Sequence, residues 1–398
     1  MFCRSMQANQ QNEGVEKFRD AADLGDATAQ YNLAVLYYVG QGVDVDFEKA
    51  LEWYSKAAGQ DHRNAQFNLA LMYHQGRGTP VNLEKAAEFY EKAANQGHIN
   101  AQFNLGLMLQ QGSGVKIDMA RAAELYRQAG EAGHVYACFN LGLLYHQGKG
   151  VAQSYARAAE WYALAAEQGH VTSQFNLALM YHQGKGVQRD APKAATLYQL
   201  AADQGHQTSQ FNLAIMLHQG DGIRPDFEQA AMLYEKVADQ GHCTAQFIVG
   251  TMYQQGEGIA QDFEKAVGWL TKAAEQGHMK AQYQLGLRYR QGEGVSRDAI
   301  TAVRWFGKAA DQGYPKALFQ IAEMLHKGEG VPQDLVMAAD CYRKAGDLGH
   351  VTSQYMLAVM YEKGEGVNRD QQEAARWYAK AAKQGHEKAL QSLTLLHE

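Results

Sequence analysis

At 398 residues with 46% apolar and 20% charged content, the chain is long enough for two or three ordinary globular domains. A formal net charge of −6, a pI near 6.2 and no run of Lys or Arg argue against a nucleic-acid partner, because polyanion binding needs a basic patch that releases counterions. The opening MFCRSMQANQQNEG lacks the apolar stretch of a secretory signal, and no run of about eighteen apolar residues follows, so no transmembrane segment is expected and the localisation defaults to the cytoplasm.

Residues 1–11 are expected to form a disordered N-terminal segment, and 12–26 to hold one unpaired helix near Val15–Leu24. From there the sequence is periodic. A Gly-x-Gly frame falls at Gly40/Gly42, Gly76/Gly78 and onward to Gly364/Gly366, always 36 residues apart, which divides 27–386 into ten repeats. In the stretch Ala65–Tyr73, Ala65, Leu69, Met72 and Tyr73 share one helical face while Phe67 and Ala70 cover a second. A helix apolar on two faces is sandwiched between two others. It is predicted to stop at the glycine pair, and the column Asp46, Asn82, Asp118, Ser154 to Asp370 is predicted to cap the start of a second helix. That helix carries a small-residue column at Ala50, Ala86 and onward, a mostly tyrosine column four residues later, and a terminal glycine column from Gly97 to Gly385, with Asp61 the exception. Residues 387–398 are expected to form an unpaired first-type helix whose apolar end, Leu393–Leu396, is available for end-to-end self-association. Neither helix of a repeat can bury its faces alone, so the chain is expected to be all-α, a solenoid of 36-residue helix-turn-helix repeats.

The recurring string A-Q-F-N-L-A-x-M-Y-x-Q-G-x-G-V-x-x-D-x-x-K-A-x-x-W-Y-x-K-A-A-x-Q-G-H closely resembles the Sel-1-like repeat, a relative of the tetratricopeptide repeat, over residues 12 to 397. The resemblance implies a right-handed α/α superhelix whose concave surface, lined by the first helices, binds other proteins or peptides as a scaffold or adaptor. The strict period, with no local Ser/His/Asp, Cys/His or paired-carboxylate cluster standing outside its column, argues against a catalytic role. Two other functions are compatible with the resemblance. One is a secreted or periplasmic binder of host or envelope components whose export signal is missing from this chain. The other, more remote, is a β-lactam-binding hydrolase. The family members linked to that activity carry a regular cysteine pair in each repeat, whereas Cys138, Cys243 and Cys341 here fall in three different columns.

Several columns invite chemistry. Nine histidines, His62 to His386, share one column with Asp26 and Tyr314, which reads as a cap for the next first helix. Successive copies lie on the order of 10 Å apart, whereas zinc ligands sit about 2 Å from their metal, so no metal or other cofactor is expected. A second polar column, His74, Gln110, His146, His182, His218, Gln254, Arg290 and His326, lies near the end of the first helix. With Phe67 and Leu71 and their column mates it forms the candidate partner-binding face; plain solvated surface is the alternative. The asparagines Asn32, Asn68, Asn104 and onward are expected to hydrogen-bond between neighbouring repeats. The residue between the paired glycines runs Gln41, Arg77, Ser113, Lys149 and Lys185, then turns acidic at Asp221, Glu257, Glu293, Glu329 and Glu365, either as solvated decoration or as a two-part partner footprint.

Overall fold

A computed structural model gives the architecture over residues 15–16 and 18–397; the segment expected to be disordered, 1–11, lies outside these described residues. The chain is helical at 15–16 and 18–23 (α1), then forms α2 (Ala27–Val39), α3 (Phe47–Gly59), α4 (Arg63–Gln75) and α5 (Leu83–Asn95). The same alternation of 13-residue helices continues to Gln371–Lys383 and is followed by an 11-residue helix, Glu387–His397. Among the described residues there is no strand, and no helix is long and apolar enough to cross a membrane. The helices group into two compact bodies, one ending at Gln204 and the other starting at Gly205, each a stack of helix pairs.

Within a repeat the start and stop of each helix are local events. The His62 Nδ1 accepts the Ala65 N–H at 3.2 Å at the start of α4, and at its end Gly76, with φ of 69°, turns its N–H back to the Met72 carbonyl at 2.9 Å. All nine histidines of that column cap a first helix in this way. A ring that accepts at Nδ1 must be neutral there, and burial pushes the pKa of His62, His98, His134, His170, His206, His278 and His350 down from the usual value. Tyr314 makes no such bond, and Pro315 follows it at the first helical turn. The second helices start on the Asp, Asn or Ser side chain of their own column, as Asp46 accepts from the Lys49 N–H at 2.9 Å. Asp61, the exception in the glycine column, takes the same left-handed conformation at φ 58°.

Packing then links the repeats. The second helix α3 lies against both α2 and α4, which is why α4 buries Ala65, Gln66, Leu69, Ala70 and Met72 on two faces. The tyrosines of the second helices, Tyr54, Tyr90, Tyr126 and Tyr162 among them, are fully buried between layers, and each apolar cluster draws on adjacent repeats only. The two glycines of a pair do different work. Gly76 ends the helix, whereas a Cβ on Gly78 would stand 2.3 Å from the Phe47 carbonyl oxygen, so this second glycine lets the loop of one repeat lie on the start of α3 in the repeat before it.

A ladder of buried glutamines supplies the polar part of the same interfaces. Gln66 and Gln282 are 0% and 4% exposed although they stand among apolar residues. Gln282 Nε2 donates to the Ala274 carbonyl at 3.1 Å, and its own oxygen accepts from Gln312 Nε2 at 2.8 Å. Gln30–Gln60, Gln66–Gln96, Gln174–Gln204, Gln246–Gln276 and Gln354–Gln384 repeat the arrangement. Cys138 and Leu318 replace the first glutamine in two repeats; opposite Leu318 the partner position holds Leu348, and both leucines line one surface hollow.

A candidate protein-binding face on the first helices

On each first helix the side chains left between the buried faces and solvent form one strip. On α4 these are Phe67, Asn68, Leu71 and His74, of which Phe67 and Leu71 are half-buried and His74 is exposed. The Phe67 ring is fixed from both sides: it stacks on the cap ring of His98 at 4.3 Å and tilts against Tyr90 at 5.8 Å. Leu71 joins Tyr31, Val35, Tyr38 and Val39 of α2, together with Asn68 and the buried Tyr54, around a cavity of about 210 Å³. Asn68 Nδ2 donates to the Tyr54 hydroxyl at 3.1 Å, the inter-repeat hydrogen bond expected of the asparagine column.

The polar column at the helix ends is held from below by the repeat's own buried aromatic. His74 meets Tyr90 edge-on at 6.1 Å, His182 meets Tyr198 at 6.3 Å, His218 meets Tyr234 at 5.9 Å and His326 meets Tyr342 at 6.4 Å. His146 packs edge-on against Tyr155 at 5.2 Å, and burial, with Lys185 nearby, lowers its pKa. Gln110 accepts from the Tyr126 hydroxyl at 2.7 Å, and Gln254 is half-buried with its backbone carbonyl accepting from Gln261 at 2.8 Å. Burial pushes the phenols of Tyr90 and Tyr234 up to about 12, so they remain protonated donors at neutral pH.

From the side, this column is engaged by the glycine-pair residue of the following repeat. In the C-terminal body the contacts are with carboxylates: His218 Nε2 lies 3.2 Å from Glu257, Arg290 lies 2.9 Å from Glu329 and His326 lies 3.7 Å from Glu365. Arg290 also reaches Glu323 at 3.3 Å and bonds Gln320, while Arg297 meets Glu329 at 2.9 Å. The hydrogen bond from Arg290 and that from Arg297 hold the Glu329 carboxyl below the usual range. Arg290 is only 16% exposed by its side chain. These acidic loop residues, read from sequence as decoration or footprint, are therefore inter-repeat partners. In the N-terminal body the equivalent contact is Arg77 donating to the Tyr38 hydroxyl, with its guanidinium over the Tyr38 ring at 5.4 Å and over Phe47 at 5.7 Å.

Within each body the sequence-predicted residues recur on successive first helices, but with unequal availability. Phe67 and Arg290 are largely used internally, whereas Leu71, His74, His146 and His182 lie at or near the surface. Sequence reasoning did not single out Tyr38 or its contact with Arg77; the pair is visible only once columns are compared across a 39-residue separation. Among the described residues no group of three or more His, Cys, Asp or Glu side chains converges to hold a metal.

The family model for the Sel1 repeat matches ten consecutive segments, from 27–62 through 63–98 to 351–386. Among solved structures, a protective antigen present in uropathogenic Escherichia coli strains and displaying an SLR fold is 33% identical, with a TM-score of 0.69 over 96% of this chain and 90% of that one. A Sel1 repeat protein from Oxalobacter formigenes is also 33% identical, with a TM-score of 0.61 over 82% of this chain and 93% of that one. No curated protein sequence matches the chain.

Proposed function

The chain belongs to the Sel1 repeat family, whose members are typically non-catalytic scaffolds, and from that premise we propose that it binds a partner protein or peptide along the strip of its first helices. The observation that carries this reading is the row Val35, Leu71, Leu107, Leu143 and Leu179, half-buried on successive first helices of one body, with a hollow beside Val35 and Leu71. An apolar row of this kind, flanked by Gln75, Gln111, Gln147 and Gln183, supplies contact area while the neutral amides offer hydrogen bonds at its edge. Column residues His74, Gln110, His146 and His182 stand beside this row, and His218, Gln254, Arg290 and His326 hold the same column in the other body. Affinity capture followed by mass spectrometry identifies partners, and His146→Ala, His182→Ala and His218→Ala then test the surface. Partners retained at full strength by all three variants would remove this assignment.

A second reading puts the protein outside the cytoplasm, bound to host or envelope components. Its support is the likeness to a protective antigen of uropathogenic Escherichia coli, a class of protein that a host immune system meets. Fractionation of the native cells decides it: recovery only with cytoplasmic markers would sink this alternative. Self-association is the third contact proposed, through Leu390 and Leu395 of the helix Glu387–His397, which are 59% and 70% exposed. Light scattering on the wild-type chain and on Leu390→Gln/Leu395→Gln reads it directly, and a monomer at high concentration argues against it.

A further inference from the structure

The charge carried by the glycine-pair loops differs between the two bodies. In the C-terminal body the loop carboxylates Glu257, Glu329 and Glu365 each have a side-chain partner in the preceding repeat, His218, Arg290 and His326 respectively. In the N-terminal body the loops carry Arg77, Lys149 and Lys185 instead. Arg77 rests on Tyr38 and Phe47, Lys185 lies over the Tyr155 ring at 4.1 Å, and Lys149 is exposed. Among the described residues no carboxylate lies within ion-pair distance of any of the three, whereas Glu257, Glu329 and Glu365 have their partners.

Between these cations the floor is uncharged. Val35, Leu71, Leu107, Leu143 and Leu179 follow one another, and the positions beside them are Val39, Gln75, Gln111, Gln147 and Gln183. At one end the floor deepens into the cavity of about 210 Å³ walled by Tyr31, Val35, Tyr38 and Leu71. A cavity of about 150 Å³ in a protein core accommodates benzene, so this one takes a single large side chain. We propose that the occupant is an acidic peptide segment carrying an aromatic or bulky apolar anchor, the anchor seated among Tyr31, Val35, Tyr38 and Leu71 and its carboxylates set against Arg77, Lys149 and Lys185.

The charge arrangement excludes the opposite partner. A lysine- or arginine-rich segment would lie across three unneutralised cations with no acid on the floor to receive it. Nucleic acid is disfavoured as well, since three spaced cations in a chain of net charge −6 do not make a continuous basic stripe.

This inference rests on the strip being a binding surface and adds the chemistry of its ligand. Short random peptides displayed on phage are selected in parallel on the full chain and on Arg77→Glu/Lys149→Glu/Lys185→Glu. Peptides enriched on the wild-type chain are expected to be net acidic and to carry an aromatic residue. The best of these, labelled with fluorescein, should lose affinity by at least about tenfold on the triple variant, since each exposed charge pair contributes a fraction of a kcal/mol and three are reversed. The loss should shrink at high salt. Lys236→Glu/Lys265→Glu/Lys308→Glu makes the same charge change on second helices of the other body, and it should leave binding unaltered. Val35→Ala, which enlarges the notch without adding charge, should weaken the aromatic peptides more than their alanine-substituted versions; circular dichroism checks that every variant stays folded.

Enrichment of basic or uncharged peptides, failure to enrich any, equal binding by the two triple variants, or tighter binding of single-stranded oligothymidine would each overturn the inference. If the histidine variants of the strip lose their captured partner while the selected peptides are not acidic, the binding surface stands and only its acidic specificity falls.

Discussion

Replacing Gln282 by leucine, with and without the matching change at Gln312, isolates the glutamine ladder. Gln282 makes two hydrogen bonds, donating across the repeat boundary to the Ala274 carbonyl at 3.1 Å and accepting within its own repeat from Gln312 at 2.8 Å. At about 0.5–1.5 kcal/mol net for each bond, their loss amounts to about 1–3 kcal/mol. Neither partner is stranded, however. The Ala274 carbonyl keeps the Gly277 N–H at 3.0 Å, and the Gln312 amide keeps the Gly277 carbonyl at 3.1 Å. Gln282→Leu should therefore cost about 1–2 kcal/mol, in the lower part of that range. Adding Gln312→Leu replaces a half-satisfied amide by an apolar neighbour for the new leucine, the combination already present at Leu318 and Leu348. The double variant should accordingly recover a coupling of about 0.5–1.5 kcal/mol relative to the sum of the singles. Because a stacked array opens locally, hydrogen exchange of residues 280–314 in the four proteins is a more suitable measurement than one global melting curve. Additivity within about 0.3 kcal/mol, or a single substitution without cost, would refute the ladder as a source of interface stability.

Two further outcomes follow from the local geometry. The cap histidines make stability depend on pH: with folded-state pKa values lowered by burial, their contribution is complete above the ordinary histidine value and is lost as pH falls through the folded one. Denaturation midpoints should therefore drop between neutral pH and pH about 5, and His98→Asn/His134→Asn, which retain a cap acceptor without a titrating ring, should reduce that drop. An equal drop in the variant would count against the caps as its origin. Gly78→Ala and Gly97→Ala separate conformation from contact, since both positions have positive φ, at 69° and 76°, but only Gly78 has a neighbouring backbone oxygen within 2.3 Å of an added Cβ. Gly97→Ala should cost about 1 kcal/mol and Gly78→Ala several-fold more by urea denaturation; equal costs would show that the loop of one repeat does not bear on the helix of the one before.

The period, the number of repeats and the alternation of two helix types follow from sequence because the features that set them lie within one 36-residue unit. An N-cap acts on the N–H three residues on, as Asp46 does on Lys49, and a glycine stop acts on a carbonyl four residues back, as Gly76 does on Met72. The histidine column was legible as a cap for the same reason. The candidate face was legible as a strip, since Phe67, Leu71 and His74 recur in phase, but not in its detail. Which of its members are free depends on partners more than 30 residues away: Phe67 on His98, His218 on Glu257, Arg290 on Glu329. A buried glutamine carries no sign in its own helix of the amide, 30 residues on, that will meet it. The second glycine of each pair looks like part of a helix stop until the neighbouring helix start is placed over it. Local backbone chemistry determined the repeat, and only the stacking of one repeat on the next decided which side chains seal the interfaces and which remain to meet another molecule.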